Sequence, residues 1–530
     1  MKRKLFIALI LLAPLSLNAE QATTRIDKVL SIYNDVWRQL DMNYVDTLNY
    51  ESLVEAGIAE MLRKIDPYTV YFPKEKDTEL KMMTTGKYGG IGSIIQQREQ
   101  ETSKGKKEKY LILANPYEGK PAQRAGVLAG DKLLSVDGVS TKGKAISEVS
   151  NMLRGVPGTE VVLLIEREGI KKPFKLYIKR EEIHLDAVDY YCVIDSTSVG
   201  YISLREFTMG ASGEVSRALD ELVYQKHISS LILDLRGNGG GIVDEAIQIV
   251  NLFVGANTEV VSTKGKIEQS CRTYTTKSAA RFPELPVCIL VDNNSASASE
   301  IVAGSMQDLK RATLIGERTF GKGLVQNLRQ IVHGGHLKVT TSKYYLPSGR
   351  CIQAIDYAER QKGKELKKDT AGGILPDIVM KDDSQKVDIS YSLYIKSMFY
   401  DYATRYRRTH ESIATPDIFT VSDEDIADFC SFLDEKKFTY ETETSKFFHD
   451  MVKMAEHEDI DSTTLAALRA LEPQLKPSFR EAIERNKDEI KQMLGAEIVE
   501  RYYYQKGRSQ FMLREDKHIK RAIEELSSSK

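Results

Sequence analysis

The sequence predicts a multidomain α+β protein with a helical N-terminal region, a small β-barrel, an α/β core whose sheet is covered by helices, and a helical C-terminal region. The 530 residues are enough for three or four domains of about 150 residues each. The spacing of apolar residues changes along the chain from helical steps to short runs and back again. With 75 Lys and Arg against 76 Asp and Glu, the charge balance argues against a dedicated nucleic-acid binder.

The first 19 residues predict a signal peptide. A basic start up to Lys4 precedes an apolar run from Leu5 to Leu17, and the small residue Ala19 precedes Glu20. The apolar run is shorter than the ~20 residues that a membrane-spanning helix needs. We therefore predict cleavage after Ala19 and an exported protein in the periplasm or cell envelope. Retention of the leader as a membrane anchor stays open.

Residues 20–86 form the predicted N-terminal helical region. Apolar residues recur at three- and four-residue steps from Val29 to Leu40, which is typical of an amphipathic helix. A second helical pattern follows, and Asp66-Pro67 ends it.

Residues 87–182 form the predicted barrel. Short apolar runs, separated by turn dipeptides such as Asn115-Pro116 and Pro157-Gly158, indicate several strands. One helical segment, from Ala145 to Leu153, interrupts them. Several strands of this length with one or two short helices predict a small, partly open barrel.

Residues 183–384 alternate between strands and helices. The buried-strand candidate Leu231 to Leu235 precedes a helical pattern from Val243 to Phe253, and the strand Pro286 to Val291 precedes one from Ala296 to Leu309. This alternation predicts a sheet covered by helices.

Residues 385–530 are again helical and strongly charged. Ser422 to Asp425 and Asp461-Ser462 stand where helix N-caps are expected. This tail contains no motif that indicates a function, and we predict a separate helical region.

Two glycine-containing segments suggest phosphate sites at first. Gly316 to Lys322 matches the start of a P-loop, but Gly323 stands where Ser or Thr is needed, which argues against nucleotide binding. Gly237 to Gly241 follows a strand and opens a helix, but Ile242 replaces the third glycine of a dinucleotide-binding loop. This segment is either a plain tight turn or a set of backbone N–H groups that could hold an oxyanion.

Ser295 to Glu300 is a candidate nucleophile segment. It follows a buried strand, and small residues at a strand-to-helix corner can expose a hydroxyl, as in a nucleophile elbow, although the GxSxG pattern is absent. The alternative, a helix N-terminus with serine caps, stays open.

A serine nucleophile needs a base, and none of the eight His lies in a suitable motif. Lys322 is the candidate, because it lies between two glycines with Phe320 and Leu324 nearby, and desolvation lowers the pKa of a lysine. Gln326 could orient its amine. The five Cys are scattered and form no CxxC pair, so neither zinc nor thioredoxin-like chemistry is predicted.

Several motifs together resemble one known family. They are Ser295 to Glu300, Gln307-Asp308, Gly316-Glu317, Thr319 to Gly323 with Gln326, Leu233 to Gly241, Tyr344 to Arg350, and Gly373 to Asp377. Their order and spacing resemble the carboxy-terminal processing (tail-specific) serine protease family. In the barrel, Gly89 to Gly92, Pro121-Ala122, Gly130-Asp131 and Asp137-Gly138 are similar to the PDZ domain of that family. The resemblance covers residues 24–383.

The resemblance implies roles for particular residues. Ser297 corresponds to the nucleophile, Lys322 to the base and Gln326 to the supporting residue, within a Ser/Lys protease core at 183–384. The oxyanion donors would be the backbone amides of Ala298, Gly239 and Gly240. The loop Gly89, Gly90, Ile91 and Gly92 of a PDZ domain at 87–182 would bind a substrate's C-terminal carboxylate. Many relatives read Asn-Pro-Gly-Gly in the glycine turn, where this chain has Gly237-Asn-Gly-Gly-Gly.

The implied function is an exported serine endopeptidase that recognises C-terminal tails through its PDZ domain and acts in protein processing or degradation. The alternative is a catalytically inactive PDZ-containing adaptor. The presence of Ser297, Lys322 and Gln326 argues against it. No metal or cofactor is implied. The expected partners are protein or peptide substrates with free C-termini and further copies of the chain through its helical regions. Neither nucleic acid nor a stable membrane span after signal removal is expected.

Overall fold

The computed structural model describes residues 13–101, 107–361, 372–381, 388–471, 475 and 478–528. The basic start and most of the apolar leader therefore lie outside the described residues. None of the described helices is both long and apolar enough to cross a membrane.

Helices and strands alternate as the sequence predicts, which confirms the mixed fold class. The helices are α1 (Ala13–Asn43), α2 (Tyr50–Arg63), α3 (Asp77–Thr85), α4 (Pro121–Arg124), α5 (Ile146–Leu153), α6 (Ala211–Asp220), α7 (Val243–Asn251), α8 (Ala298–Asp308), α9 (Ala358–Gln361), α10 (Asp388–Ile395), α11 (Met398–Thr409), α12 (Asp423–Glu435), α13 (Glu443–His457), α14 (Ser462–Leu471), α15 (Phe479–Arg485), α16 (Lys487–Leu513) and α17 (Lys517–Ser528). The strands are β1 (Val70–Phe72), β2 (Lys87–Gly90), β3 (Ser93–Glu101), β4 (Lys107–Pro116), β5 (Asp131–Val136), β6 (Val139–Ser140), β7 (Glu160–Glu166), β8 (Phe174–Lys179), β9 (Glu181–His184), β10 (Val188–Val193), β11 (Val199–Leu204), β12 (Ser230–Asp234), β13 (Glu259–Gly265), β14 (Arg272–Thr275), β15 (Val287–Val291), β16 (Thr313–Gly316), β17 (Leu324–Gln330), β18 (His336–Tyr345) and β19 (Ile378–Val379).

The N-terminal region is not purely helical. Asp66, where the helical pattern ends, accepts hydrogen bonds from the backbone amides of Tyr68 and Thr69 at 2.8 and 2.7 Å and so forms a turn. After this turn, β1 pairs antiparallel with β18, with Val70 opposite Lys338. The N-terminal region therefore contributes an edge strand to a sheet whose other strands come from residues 259–345.

The barrel has its own hydrophobic core. Strands β3, β4, β5, β7 and β8 form one antiparallel sheet, with β6 on β5, while β2 pairs with β9 where the chain enters and leaves the barrel. Leu113, Val136, Val149 and Leu163 are fully buried between the sheet and α5. The alternating burial along β7 matches the apolar pattern from which the strand was predicted.

The six-stranded core sheet has the order β10-β11-β12-β15-β16-β19 and is parallel except for the pair of β10 and β11. Helices α6, α7 and α8 pack on one face. All five residues of β12 and of β15 are buried, which explains their continuous apolar runs. The carboxyl ends of these two strands lie side by side, and the chain turns into a helix after each of them.

A second sheet lies beside this core, with the order β1-β18-β13-β14 and with β17 paired to β18. A short turn around His333 joins β17 and β18. Because a strand and not a helix follows Lys322, the segment Gly316 to Lys322 does not form a P-loop, in agreement with the sequence argument.

The C-terminal region forms a helical core of its own and also contacts the six-stranded sheet. Ser422 caps α12 by accepting from the Asp425 amide at 3.0 Å, as predicted. Helix α17 leaves this region and covers the second face of the six-stranded sheet, where Ile519 and Ala522 pack with Ile232. The sequence predicts a separate region, but the last helix belongs to the core.

Candidate active site

Ser297 lies at the corner between β15 and α8. Its backbone has φ 56° and ψ −112°, a conformation that is rare for residues other than glycine and costs about 1–3 kcal/mol. The Ser297 side chain caps no amide of α8 and is half-buried, so its hydroxyl is not committed to the helix. The corner resembles a nucleophile elbow, which also strains the backbone to expose a hydroxyl.

The other two serines of the segment hold the corner together. Ser295 is fully buried and donates to the Leu235 carbonyl at 2.8 Å, and Ser299 is fully buried and donates to the Asn238 carbonyl at 2.9 Å. Both hydroxyls therefore tie the Ser297 corner to the end of β12 and to the glycine turn. Of the three hydroxyls, that of Ser297 is the one that can meet a substrate.

The glycine turn Gly237 to Gly241 packs directly against Ser297. At Gly240, where φ is +101°, a Cβ atom would lie 2.6 Å from the Ala296 carbonyl and 2.7 Å from the Ser297 Cβ. Only glycine permits this approach. The interpretation of this segment as a plain tight turn does not explain its position. The backbone of the turn faces Ser297, the candidate nucleophile.

The structure differs from expectation at one of the three oxyanion donors. The Gly240 amide donates to Asn238 Oδ1 at 2.8 Å, and that side chain is itself held by donating to the Leu204 carbonyl at 2.7 Å. Gly240 is therefore not available as a donor. Within the described chain, the amides of Gly239 and Ala298 have no protein acceptor.

Lys322 lies in the loop between β16 and β17. Its ammonium nitrogen is 4.7 Å from the centre of the Tyr68 ring, which the N-terminal region supplies. Burial lowers the pKa of Lys322, and the charge of Lys338 lowers it further, while Glu300 and Asp66 act in the opposite direction. The site therefore favours the neutral amine more than water does.

Glu300 joins the Ser297 corner to the Lys322 loop. This fully buried carboxylate accepts from the Ser297 and Lys322 amides with Oε2, at 2.8 and 2.9 Å. Its Oε1 accepts from the Gly321 amide at 2.8 Å and the Thr319 hydroxyl at 2.6 Å. Burial raises the pKa of Glu300, and these hydrogen bonds oppose that effect. The spacing of Ser297 and Glu300 is that of a capping box, which could have indicated the first contact but not the other three.

Replacing Glu300 by glutamine should impair both stability and catalysis. Glutamine has one acceptor oxygen, so two buried donors lose their partner, and we expect unfolding to become easier by at least about 2 kcal/mol. We also expect kcat per folded molecule to fall, since the backbones of Ser297 and Lys322 lose their common anchor. Chemical denaturation and active-site-normalised kinetics measure the two effects.

Glu245→Gln is the matched control. Glu245 is also buried and accepts from the amides of Gly210 and Ser212, at 2.9 and 2.8 Å, but it contacts neither Ser297 nor Lys322. It should lose stability and keep kcat. An equal loss of kcat in both variants would contradict the role that we assign to Glu300.

Sequence comparisons identify the parts of the chain. A profile of Peptidase family S41 matches residues 198–380, a PDZ domain profile matches 112–167, and a profile described as the C-terminal helical domain of a probable PDZ-protease matches 389–526. The carboxy-terminal-processing protease of Bartonella bacilliformis is 33% identical over 367 residues, which are 69% of this chain and 77% of that protein.

The chain belongs to peptidase family S41.

This S41 chain is a serine peptidase with a PDZ domain, as the sequence motifs imply. It is also 34% identical over 325 residues to a probable CtpA-like serine protease of Staphylococcus aureus, covering 61% of this chain and 62% of that protein. A solved structure, the photosystem II D1 C-terminal processing protease, is 25% identical and covers 67% of this chain and 93% of that one, with a TM-score of 0.37.

Gln326 of the peptidase is placed differently from expectation. Its Nε2 donates to the Leu324 carbonyl and to the Thr340 hydroxyl, both at 3.2 Å, and the described contacts include none between Gln326 and the Lys322 amine. The register of β17 against β18 shifts between Val325 and Gln326, and this shift accompanies the contact of Gln326 with Thr340. Gln326 therefore connects the two strands that follow Lys322 rather than orienting its amine directly.

The PDZ loop Gly89 to Gly92 offers donors at its far end. The first two glycines pair with β9, while the carbonyls of Ile91 and Gly92 accept from the Ala122 and Tyr117 amides at 2.8 and 3.0 Å. Within the part of the chain that the structure describes, the N–H groups of Ile91 and Gly92 have no protein acceptor. Two adjacent N–H groups of this kind can hold a carboxylate.

Two further features lie where the PDZ domain meets the core. A cavity of about 880 Å³ lies between α3, α5 and residues 205–208 and includes none of the proposed catalytic residues. His184, Asp186 and Glu214 have ligand atoms within 4.8 Å of one another, but the two imidazole nitrogens each face a different carboxylate, at 3.5 and 3.7 Å. The group is thus one imidazole flanked by two carboxylates.

Proposed function

We propose that this S41 peptidase is an exported endopeptidase that cleaves peptide bonds in protein processing or degradation, with Ser297 as nucleophile and Lys322 as general base. The main observation behind the proposal is the contact made by Glu300. One oxygen of its carboxylate accepts hydrogen bonds from the backbone amides of both Ser297 and Lys322. The strained corner at Ser297 and the lowered pKa of Lys322 support the same assignment.

In the proposed reaction, the neutral amine of Lys322 takes the proton of the Ser297 hydroxyl while the oxygen bonds to the peptide carbonyl carbon. The carbonyl oxygen becomes an oxyanion, which the amides of Gly239 and Ala298 stabilise; one such donor contributes about 3 kcal/mol. The protonated Lys322 then gives its proton to the leaving nitrogen as the C–N bond breaks. Water attacks the acyl-enzyme, with Lys322 again as base, and releases the new C-terminus.

The alternative is an inactive adaptor that uses only its PDZ domain. A strained serine and a half-buried lysine both make folding less favourable. Neither contributes to peptide binding by the PDZ domain, which is the function of an adaptor. The combination of Ser297, Lys322 and Glu300 therefore favours the enzyme.

We further propose that the PDZ loop selects substrates with free C-termini, through the Ile91 and Gly92 amides. A hydrogen bond to a charged group is stronger than one to a neutral amide by about 1 kcal/mol or more. A peptide that ends in a free acid should therefore be cleaved about tenfold more efficiently, in kcat/KM, than the same peptide with an amidated end. Equal kcat/KM values for the two peptides, measured at substrate concentrations below saturation, would contradict the proposed PDZ role. They would not bear on the proposed dyad of Ser297 and Lys322.

Export is the part of the proposal that rests on residues 1–19. The basic start, the apolar run and Ala19 support removal by a signal peptidase. The mass of the chain recovered from the cell envelope checks this, since a cleaved chain begins at Glu20.

Besides substrate, we propose a second copy of this chain as a partner, bound through α1 and α2. Val29, Val36, Met42 and Val45 are 52–89% exposed, an unusual density of exposed apolar residues on a helical hairpin. Between Arg25 and Asp41, α1 carries three basic and three acidic residues, so a second copy brings no net charge to this segment.

Light scattering tests the self-association. The wild type should have the mass of an oligomer, and the double variant Val29→Glu/Val36→Glu that of a monomer. Val156→Glu, at an isolated exposed apolar residue of the PDZ domain, should leave the mass unchanged. A monomeric wild type would refute the proposal.

A further inference from the structure

The last helix of the chain lies against the catalytic core. Ile519, Ala522 and Leu526 of α17 are buried against the face of the six-stranded sheet opposite to α8. The N-terminal end of α17 thereby reaches the carboxyl end of β12, where the glycine turn begins.

Asp516 connects the two elements with one carboxylate. Its Oδ1 accepts from the His518 and Ile519 amides at 2.8 and 3.2 Å and so caps α17. Its Oδ2 accepts from Arg236 Nη2 at 2.7 Å. Although burial acts in the opposite direction, the His518 side chain, Arg236 and the Ile519 amide hold the pKa of Asp516 below its usual range, so it is ionised at neutral pH.

Arg236 in turn holds the start of the glycine turn. It immediately precedes Gly237, and its guanidinium contacts both oxygens of Asp234, at 2.6 to 3.1 Å. Asp234, the last residue of β12, also accepts from the Arg236 amide at 2.9 Å. The guanidinium therefore bridges the end of β12 and α17.

We propose that Asp516 is a positioning residue for the oxyanion donors: through Arg236, it fixes the turn that presents the Gly239 amide to the reacting carbonyl. This rests on the proposed function, in which Gly239 is a donor. Asp234 of the core and Asp516 of the C-terminal region are the two carboxylate partners of Arg236. The core alone supplies only the first of them, so the helical C-terminal region is part of the catalytic apparatus.

The consequence is specific to the transition state. The Gly239 amide meets full negative charge only in the tetrahedral intermediate, so a displaced turn raises the barrier more than it weakens substrate binding. A displacement of about 1 Å in such a site can cost about a hundredfold in rate, and the loss of one of two anchors should cost about tenfold.

Asp516→Asn in the full chain tests this. Asparagine is as good an N-cap as aspartate, so α17 keeps its start, but the amide group brings no charge and leaves one anchor of Arg236 missing. We expect kcat to fall about tenfold with KM unchanged within twofold. A peptide aldehyde, which forms a tetrahedral adduct with a nucleophilic serine, should bind weaker by the same factor.

Asp461→Asn is the matched control. Asp461 caps α14 in the same way, by accepting from the Thr463 and Thr464 amides at 3.1 and 3.0 Å, and pairs with no arginine of the core. Its kcat should equal that of the wild type. As an independent variant, Arg236→Lys keeps a positive charge but cannot form the planar fork, and should show the same loss of kcat as Asp516→Asn.

Unchanged kcat per titrated site in Asp516→Asn and Arg236→Lys would overturn the proposal, as would equal losses in Asp516→Asn and Asp461→Asn. If Asp516→Asn does not fold, Arg236→Lys decides by the same measurements. Failure of the proposed dyad is distinguishable, because it would show as activity retained in Ser297→Ala.

Discussion

Replacing Ser297 by alanine is expected to lower kcat by at least about 10⁴-fold, since the acyl-enzyme cannot form without the hydroxyl oxygen. The fold should survive, because the Ser297 side chain caps no helix amide and the hydrogen bonds of Ser295 and Ser299 remain. Cleavage of an unstructured peptide, followed by mass spectrometry, measures the rate, and thermal unfolding measures the stability.

Ser305→Ala is the control on the same helix. Ser305 is fully buried in α8, and among the described residues its hydroxyl bonds only to carbonyls of the preceding turn, so kcat should be unchanged. The nucleophile assignment is wrong if Ser297→Ala retains its rate while Ser295→Ala or Ser299→Ala, measured per folded molecule, is inactive.

Lys322→Met should lower kcat by about 10²- to 10⁴-fold, the contribution typical of a general base. Methionine keeps most of the length and volume of the lysine side chain but lacks the nitrogen that lies over the Tyr68 ring, so the loss reports the amine and not the volume. Substrate binding should change little, which separates this variant from one with a disturbed fold.

The pH dependence of kcat tests the same role with the sign fixed by the structure. Only the neutral amine of Lys322 can accept the serine proton, so the rate should rise with pH as Lys322 deprotonates and then level off. The charge of Lys338 lowers the pKa of Lys322. Lys338→Met removes that charge, raises the pKa of Lys322 and should shift the rising limb to higher pH while the plateau is kept.

Lys264→Met provides the control for this shift. Lys264 lies on β13 of the same sheet with its ammonium nitrogen 4.4 Å from the Tyr345 ring centre, and it is not among the charges that shift the pKa of Lys322. Its profile should match that of the wild type. A shift to lower pH in Lys338→Met would contradict a lysine base.

Local patterns were sufficient where each residue's role depends on its neighbours in the chain. The continuous apolar runs predicted β12 and β15 because both faces of a covered parallel strand are buried, and α7 and α8 follow them as expected. The motif order was enough to imply the family, Ser297 and Lys322. The resemblance of the barrel segment to the PDZ domain of that family implied the PDZ loop at Gly89 to Gly92.

Only the tertiary structure decided which groups meet across long stretches of chain. Hydrophobic periodicity shows that a residue is buried, but not what it is buried against, and so it could not show that β1 pairs with β18 or that α17 covers the catalytic sheet. The same reason applies to Glu300, Gly240 and Asp516. A buried carboxylate or amide needs a hydrogen-bond partner, and the folded chain determines which group that is. In this fold, the Glu300 carboxylate meets the Lys322 amide and the Asp516 carboxylate meets Arg236.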